Sequence, residues 1–190
     1  WLENIHDMAF FYLDFLEALE LTNVHVIGQS LGGWLAMEIA VRSVERISKI
    51  SLLGAAGINL PDTPMGDLLS WDKETRYRTI IHDDAIADKL LAIPTIPGQE
   101  KIAVKNEETT ALLSWKPRFH DPHLHKWLHR IKVPTQIIWG ANDPVFPLPY
   151  GETLAELIPG AELSVIDACG HLPQIEHPEE LNELVTAFAD

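Results

Sequence analysis

Residues 24–32 read Val-His-Val-Ile-Gly-Gln-Ser-Leu-Gly, a short apolar run followed by a serine between two glycines. The apolar run has the length and composition of a buried strand, and residues 33–42 have the apolar spacing of a helix. Between them, Ser30 has to lie on a sharp turn that lifts its hydroxyl above a sheet. Gly28 and Gly32 are expected to let the strand and the helix approach closely enough for this turn. The stretch therefore predicts a serine nucleophile at a strand-to-helix turn.

Length and composition allow one sizeable core and exclude several classes of partner. The chain has 190 residues, 46% of them hydrophobic, and a formal net charge of −14 from 28 acidic and 14 basic side chains. This balance argues against nucleic acid and anionic membrane surfaces, because both attract basic patches. No stretch approaches about eighteen uninterrupted apolar residues, so the sequence predicts no membrane span. The chain begins at Trp1, so the sequence leaves the compartment open.

The rest of the chain alternates between strand and helix patterns. The predicted strands are 23–27, 47–53, 135–139 and 162–166, and the predicted helices are 7–20, 33–42, 150–158 and 178–189. Strands that alternate with helices form parallel sheets with right-handed crossovers. We therefore expect an α/β fold with a parallel sheet of about four strands and helices on both faces.

One long stretch, residues 59–131, interrupts this alternation with prolines and short helical pieces. It is too long for a plain connection in a compact domain and has hydrophobic content of its own. We therefore expect a helical insertion at 59–131 between core segments 1–58 and 132–190. Three tryptophans of the insertion are expected to hold it onto the core: Trp71, Trp115 and Trp127.

A serine hydroxyl needs a base to remove its proton, and His171 is the candidate for this base. His171 follows the last predicted strand, and doubly wound sheets place their sites at the carboxyl ends of strands. Asp143 follows the preceding strand and is the candidate for the carboxylate that orients the imidazole. Rival carboxylates stand after the second strand, inside the insertion and at the end of the last strand: Asp62, Asp121 and Asp167.

The serine turn at 28–32, the order serine, aspartate, histidine, and the pair Gly140 and Asp143 resemble the α/β-hydrolase superfamily. The resemblance covers nearly the whole chain and implies strands five to eight of that fold, with a helical cap after strand six. It implies that the first four strands of the fold are absent here, so that the sheet is open beside the strand that carries Ser30. The expected macromolecular partners are the missing amino-terminal segment or a second copy at this open edge.

The resemblance implies a serine hydrolase that cleaves a small to medium apolar carboxylic ester through an acyl-enzyme, with no cofactor and no metal. Ser30 attacks the carbonyl, His171 transfers the proton, Asp143 orients His171, and the backbone N–H of Leu31 binds the oxyanion. The second oxyanion donor of the family comes from a loop after strand three, so we expect these 190 residues alone to react slowly. The candidate pocket residues are Gln29, Val145 and Leu172.

Two further functions stay open. Carbon–carbon hydrolases that act on ring-cleavage dienones share the serine, aspartate, histidine and cap, although many carry a tryptophan where this chain has Leu172. Small-molecule receptors of the same fold form the other class. A serine at position 30 argues against haloalkane dehalogenases and epoxide hydrolases, which use an aspartate there.

Cys169 and a group of histidines are the remaining candidates for chemistry. Cys169 is the single cysteine, which excludes an internal disulfide, and we expect a small buried hydrophobe there. His125 and His129 are four residues apart, a spacing that places two zinc ligands on one helix face. Because no His-Glu-x-x-His pattern and no nearby cysteine accompany them, the sequence predicts no metal site.

Overall fold

The computed structural model describes residues 1–94 and 96–189 of the chain. Its strands form one parallel sheet in the order β1-β2-β3-β4. The strands are β1 (Val24–Gln29), β2 (Ile47–Leu53), β3 (Thr135–Gly140) and β4 (Glu162–Ile166). The helices are α1 (Ile5–Ala18), α2 (Leu31–Arg42), α3 (Lys73–Ile80), α4 (Asp84–Leu91), α5 (Gln99–Ser114), α6 (Pro149–Leu157), α7 (Pro173–Glu176) and α8 (Pro178–Ala189). The predicted four-stranded parallel α/β sheet is confirmed.

The sheet is covered on both faces, because successive side chains of a strand point to opposite sides. Leu52 of β2 and Ile137 of β3 join the larger buried cluster, which includes residues of α1, α2 and α6. Their neighbours Leu53 and Ile138 join a smaller cluster that contains Leu181 of α8. The helices therefore pack on both faces, as the alternating pattern predicts.

The two central strands are the most buried, and β1 forms an edge of the sheet. Every residue of β3 is buried, the polar Thr135 and Gln136 as well as the apolar residues 137–139, as is typical of a strand covered on both faces. In the described part of the chain β1 pairs with β2 alone, and Ile27 of β1 is 54% exposed. Association of a partner through this edge stays a prediction.

Between β2 and β3 the chain forms helices α3, α4 and α5 and two short 3-10 turns, Leu124–Lys126 and Leu128–Arg130. Side chains at the helix starts explain two of these helices: the carboxylate of Asp72 accepts from the N–H of Thr75, and that of Asp83 accepts from the N–H of Ala85. That this stretch acts as a cap stays a prediction.

The expectation that three tryptophans hold this stretch onto the core is only partly met. Trp71 is half-buried and packs against the main cluster. Trp115 and Trp127 are 48% and 49% exposed. The Trp115 ring instead lies beneath the guanidinium of Arg118, 4.6 Å from the ring centroid, which leaves much of the indole in contact with solvent.

The helices of the described residues 1–94 and 96–189 include none with the length and apolar composition that a membrane crossing requires.

Candidate active site

Ser30 lies between the end of β1 and the first residue of α2. Its backbone conformation is one that residues other than glycine rarely adopt. Its φ is 54° and its ψ is −116°. The N–H of Ser30 donates to the carbonyl of Leu53 at 2.9 Å, and its carbonyl accepts from the N–H of Ala56 at 3.0 Å and of Gly33 at 3.0 Å. Bonds to the end of β2 and to the start of α2 thus hold the strained turn, a conformation that costs about 1–3 kcal/mol.

The glycines that the close approach of strand and helix requires are not the pair that the sequence predicts. A Cβ at Gly28 would overlap the carbonyl of Gly32, so the strand and the helix meet there. A Cβ at Gly32 would meet nothing within 4 Å, whereas one at Gly33 would lie 2.5 Å from the Cβ of Ala55. The prediction for Gly32 is therefore wrong, because its own Cβ position faces open space. Gly28 and Gly33 are the two positions at which the close approach requires glycine.

His171 lies in the loop after β4 and reaches back to the serine. Its Nε2 is 3.0 Å from Oγ of Ser30, and its Nδ1 is 2.8 Å from Oδ2 of Asp143. These partners assign the proton to Nδ1, which donates to the carboxylate, and leave Nε2 to accept from the serine hydroxyl. His171 and Asp143 are each 4% exposed, so their hydrogen bond is shielded from water.

Asp143 is fixed by the turn that follows β3. Its Oδ1 accepts from the N–H of Val145 at 2.8 Å and of Phe146 at 3.0 Å, while Oδ2 faces His171. A carboxylate held at both oxygens keeps the imidazole in one orientation. The structure thus brings Ser30, His171 and Asp143 together in one line of hydrogen bonds.

The rival carboxylates lie elsewhere. Asp62 and Asp167 are exposed, and Asp121 has its Oδ2 4.0 Å from Nε2 of His6. Asp143 is the carboxylate that the structure places against His171.

A cavity of about 290 Å³ opens beside Ser30, and most of its walls come from residues 68–119. Its lining consists of Gln29, Ser30, Leu31, Leu68, Leu69, Arg76, Glu107, Thr110 and Phe119. Leucine and phenylalanine side chains make part of this wall apolar, and one ion pair stands in it.

Of the three predicted pocket residues, only Gln29 lines this cavity. Its Nε2 donates to the carbonyl of His171 at 3.2 Å, which ties the residue before Ser30 to the histidine loop. Val145 is fully buried in the core, where its N–H and carbonyl hold Asp143 and Gly66. Leu172 is half-buried and packs against the main cluster. Val145 and Leu172 stand next to Asp143 and His171 in the sequence, but closeness in sequence does not fix where a side chain points.

Arg76 of α3 is the cation in the cavity wall. Its Nη1 donates to Oε1 of Glu107 at 3.0 Å, and its Nη2 is 3.3 Å from the carbonyls of Leu68 and Trp71. Its Nε is buried and has no acceptor among the described residues. An unpaired buried donor costs free energy, and here it belongs to a side chain that lines the cavity.

The backbone N–H of Leu31 is the first of α2. In the described part of the chain it donates to no protein acceptor, as expected at a helix start. Its place directly after Ser30 and at the positive end of the helix dipole suits an oxyanion.

Cys169 is fully buried, as the sequence predicts. Burial and the nearby carboxylate of Glu176 raise the pKa of its thiol to about 12. A thiol with this pKa carries almost no thiolate near neutral pH and is a poor nucleophile.

The structure places the two histidines with zinc-ligand spacing in separate turns. His125 and His129 are exposed and lie in different 3-10 turns, so their spacing of four residues does not define one helix face. Among residues 1–94 and 96–189, the group with three possible metal ligands is His6, Glu38 and Asp121. The guanidinium of Arg42 pairs with Glu38 there and lies 2.9 Å from Nδ1 of His6, so a cation already fills this group.

Two residues beside His171 belong to no sequence motif and are not among the predicted site residues. Gly54 follows β2 and presses against the His171–Asp143 pair, and Glu176 of α7 accepts three backbone N–H groups beneath the histidine loop. The glycine directly after a predicted strand was the available signal for Gly54. Glu176 stands in an acidic run that looks like an ordinary helix start.

Known proteins resemble this chain in sequence and in fold. A model described as the alpha/beta hydrolase family matches residues 3–184. The chain is 31% identical over 183 residues to the 2-hydroxymuconate semialdehyde hydrolase of Pseudomonas putida, covering 91% of this chain and 64% of that protein. It is 29% identical over 194 residues to the 2-hydroxy-6-oxo-6-phenylhexa-2,4-dienoate hydrolase of Comamonas testosteroni, covering 91% and 65%. The chain thus spans 64–65% of the length of these two curated relatives.

Solved structures give the same relationship. A meta-cleavage product hydrolase from Pseudomonas fluorescens IP01 has a TM-score of 0.75 and 26% identity, covering 97% of this chain and 71% of that one. An esterase from Exiguobacterium antarcticum has a TM-score of 0.74 at 21% identity, covering 100% and 75%, and this likeness shows a shared fold alone.

Proposed function

This chain belongs to the alpha/beta hydrolase family, and we propose that it carries the catalytic triad of a carbon–carbon bond hydrolase. The proposed substrates are ring-cleavage products of the 2-hydroxy-6-oxo-dienoate type. The proposed roles are nucleophile for Ser30, general base and acid for His171, and orienting carboxylate for Asp143.

The observation that carries the proposal is the line of hydrogen bonds from Ser30 through His171 to Asp143, at 3.0 Å and 2.8 Å. A serine becomes a nucleophile when a neutral imidazole accepts its proton, and the buried carboxylate stabilises the imidazolium that forms. The strained turn at Ser30 supports the same role, because such strain persists where function requires it.

The reaction follows from these positions. Oγ of Ser30 adds to the C6 carbonyl while Nε2 of His171 takes the hydroxyl proton, and the N–H of Leu31 stabilises the oxyanion. Because C5 is an alkene carbon in the dienol form, cleavage requires the keto tautomer of the substrate, in which the proton of the C2 hydroxyl has moved to C5. The C5–C6 bond then breaks, its electron pair passes through C4 and C3 to the C2 oxygen, and that oxygen takes the proton from His171. The acyl group remains on Ser30 as an ester. Water, deprotonated by His171, cleaves this ester and releases a carboxylic acid.

The choice of a carbon–carbon bond over an ester rests on the relatives, since the triad serves both reactions. The sequence alone places a carboxylic ester first. The curated relatives at 26–31% identity are named as hydrolases of semialdehydes and oxo-dienoates, which favours the alternative. Leu172, where many such enzymes carry tryptophan, shows that this residue of the chain departs from their pattern.

The cavity offers a second reason. Every proposed substrate carries a carboxylate, and Arg76 supplies a cation in the wall of the cavity that contains Ser30. A substrate carboxylate that pairs with this guanidinium would form one of the stronger hydrogen bonds that proteins make. Glu107 already pairs with Arg76 and is 55% exposed, so it can move aside toward solvent.

The first experiment tests the nucleophile. The chain and its Ser30→Ala variant are exposed to a fluorophosphonate and weighed by intact-mass spectrometry. We expect one adduct on the parent chain and none on the variant, with both melting at nearly the same temperature. An adduct on Ser30→Ala, or none on the parent at saturating reagent, would contradict the triad.

The second experiment separates the two bonds with matched substrates. 2-Hydroxy-6-oxo-6-phenylhexa-2,4-dienoate and 4-nitrophenyl benzoate both deliver a benzoyl group to Ser30, so their acyl-enzymes are identical. We expect the larger kcat/KM for the dienoate, measured by loss of its absorbance. A larger kcat/KM for the benzoate ester would return the function to ester hydrolysis, and binding of either compound without turnover would point to a receptor.

A further inference from the structure

We propose that Glu176 is a positioning residue for His171: its buried carboxylate ties the histidine loop to residues 80–83 and thereby holds the imidazole in line with Ser30. The inference rests on the proposed function, because Glu176 acts on the reaction only through His171.

The carboxylate of Glu176 joins two separate stretches of backbone. Its Oε1 accepts from the N–H of Gly170 at 2.8 Å, next to His171. Its Oε2 accepts from the N–H of His82 at 2.6 Å and of Asp83 at 3.3 Å, in the link between α3 and α4. Each oxygen therefore serves one stretch, and the side chain bridges them.

A direct backbone contact strengthens the bridge. The N–H of His171 donates to the carbonyl of Ile80 at 2.8 Å. A Cβ at Gly170 would overlap that carbonyl and would lie 3.0 Å from both Oε1 of Glu176 and the backbone nitrogen of His82. The histidine loop thus lies directly on residues 80–82, with no room for a side chain between them.

Burial makes this bridge a strong constraint. Glu176 is 8% exposed, and the buried thiol of Cys169 lies 3.9 Å from its Oε1. Loss of the carboxylate would leave the N–H groups of Gly170, His82 and Asp83 without their acceptor. Hydrogen bonds to a charged acceptor are among the stronger ones in proteins, and an unsatisfied buried donor is costly. The loop would shift to find other partners.

A small shift is enough to affect the reaction. Nε2 of His171 has to stay 3.0 Å from Ser30 while Nδ1 stays 2.8 Å from Asp143. A displacement of about 1 Å at a reacting group costs on the order of a hundredfold in rate. Residues 80–83 lie in the stretch predicted as a cap, so the bridge makes the position of the proposed base depend on how that stretch is seated.

The test uses Glu176→Gln and Glu176→Asp, with Glu179→Gln as the matched control on the exposed start of α8. The first readout is the rate of Ser30 phosphonylation by a fluorophosphonate as a function of pH. The second is amide hydrogen exchange in peptides that cover residues 80–83 and 169–171. Glutamine keeps the shape of the side chain but offers one acceptor oxygen, whereas aspartate keeps the charge but is too short to span both stretches.

We expect both Glu176 variants to react roughly ten- to hundredfold more slowly, the range for one lost hydrogen bond to a charged group. Their pH–rate profiles should flatten in part, because Ser30 couples less well to the displaced imidazole. Exchange should rise in both peptides together, and Glu179→Gln should match the parent in every readout. If the variants were only less stable, a smaller fraction of the protein would react, but the shape of the pH–rate profile would be the same as in the parent chain.

Parental rates and profiles in both Glu176 variants would overturn the proposal, and so would faster exchange confined to one of the two peptides. Rescue by aspartate would also overturn it, since charge without reach would then suffice. Failure of the proposed function looks different: the parent chain itself would not be phosphonylated, while the exchange of the two peptides would still decide whether Glu176 bridges them.

Discussion

Gly54 lies directly against His171: a Cβ placed on this glycine would stand 3.2 Å from Nδ1 of the imidazole and 3.1 Å from Oδ2 of Asp143. The backbone of Gly54 has a φ of +47°, a conformation that glycine adopts without the cost that other residues incur. The turn after β2 therefore forms one wall of the His171–Asp143 hydrogen bond, and this wall has no space for a side chain.

Gly54→Ala should slow Ser30 phosphonylation by about tenfold or more, because the new methyl group pushes the imidazole or the carboxylate out of line. Gly160→Ala is the matched control. Gly160 also has a positive φ, +74°, but a Cβ there meets nothing within 4 Å. Both variants should lose about 1–2 kcal/mol of stability from backbone strain, measured by urea unfolding. Equal phosphonylation rates in the two variants would contradict the claim that Gly54 leaves no space for a side chain beside His171 and Asp143.

Asp143→Asn should lower turnover by roughly 10⁴-fold, since an amide cannot stabilise the imidazolium and favours the wrong tautomer. The remaining amide oxygen can still accept from the N–H groups of Val145 and Phe146, so the melting temperature should change little. Asp62→Asn, at the exposed rival carboxylate, should turn over like the parent. Steady-state kinetics of the two variants decide which carboxylate, Asp143 or Asp62, supports turnover.

The two glycines after Leu31 should respond in opposite directions. Gly33→Ala forces a Cβ to within 2.5 Å of the Cβ of Ala55, and overpacking of this kind costs about 1–3 kcal/mol. Gly32→Ala faces open space on the first turn of α2 and should be neutral or stabilising by up to about 1 kcal/mol. Urea unfolding of both variants checks the sign. A larger loss of unfolding free energy in Gly32→Ala than in Gly33→Ala would mean that α2 packs against β1 and Ala55 in another orientation.

Arg76→Met should raise KM for the carboxylate-bearing dienoate by roughly tenfold, the effect of one lost charge-assisted hydrogen bond. Methionine keeps much of the apolar stem, so KM for the neutral 4-nitrophenyl benzoate should stay near the parental value. Arg78→Met is the control: this arginine pairs with Glu74 and Asp88 on the protein surface and is absent from the cavity wall. An equal rise in KM for both substrates would assign Arg76 to packing.

The buried thiol of Cys169 should make the fold sensitive to alkaline pH. Its pKa is raised to about 12 in the folded chain, from an ordinary value near 9. The folded state therefore keeps the proton at a pH where the unfolded state releases it, so stability is fully present below about pH 9 and falls as pH rises toward 12. Cys169→Ala should show a smaller decrease in melting temperature between pH 8 and 11. Parallel decreases in both proteins would contradict the raised pKa.

Local patterns in the sequence predict the sheet and the reacting groups for a physical reason. Apolar runs of strand length predict β1 to β4, and sites at the carboxyl ends of parallel strands bring Ser30, Asp143 and His171 to one edge. The roles of these three residues stay proposals until the chemistry is measured.

What sequence could not supply is contact between distant segments. Nothing local to Glu176 indicates that the N–H groups of His82 and Asp83, more than ninety positions away, donate to it. Val145 stands two residues from Asp143, yet its side chain points into the core. Sequence alone also cannot distinguish Gly32 from Gly33, because the difference depends on the position of Ala55, which lies after β2.

The hydrogen bond between Ser30 and His171 joins residues 141 positions apart. Contacts of such high sequence separation form late, since the chain between them has to be ordered first. During synthesis the strained serine turn can form long before its base leaves the ribosome, at about 5–20 residues per second. A nascent chain would therefore carry an inert serine for several seconds, and its reactivity would switch on only once the histidine loop had docked. Reactivity of Ser30 toward a fluorophosphonate is thus a reporter of completed folding.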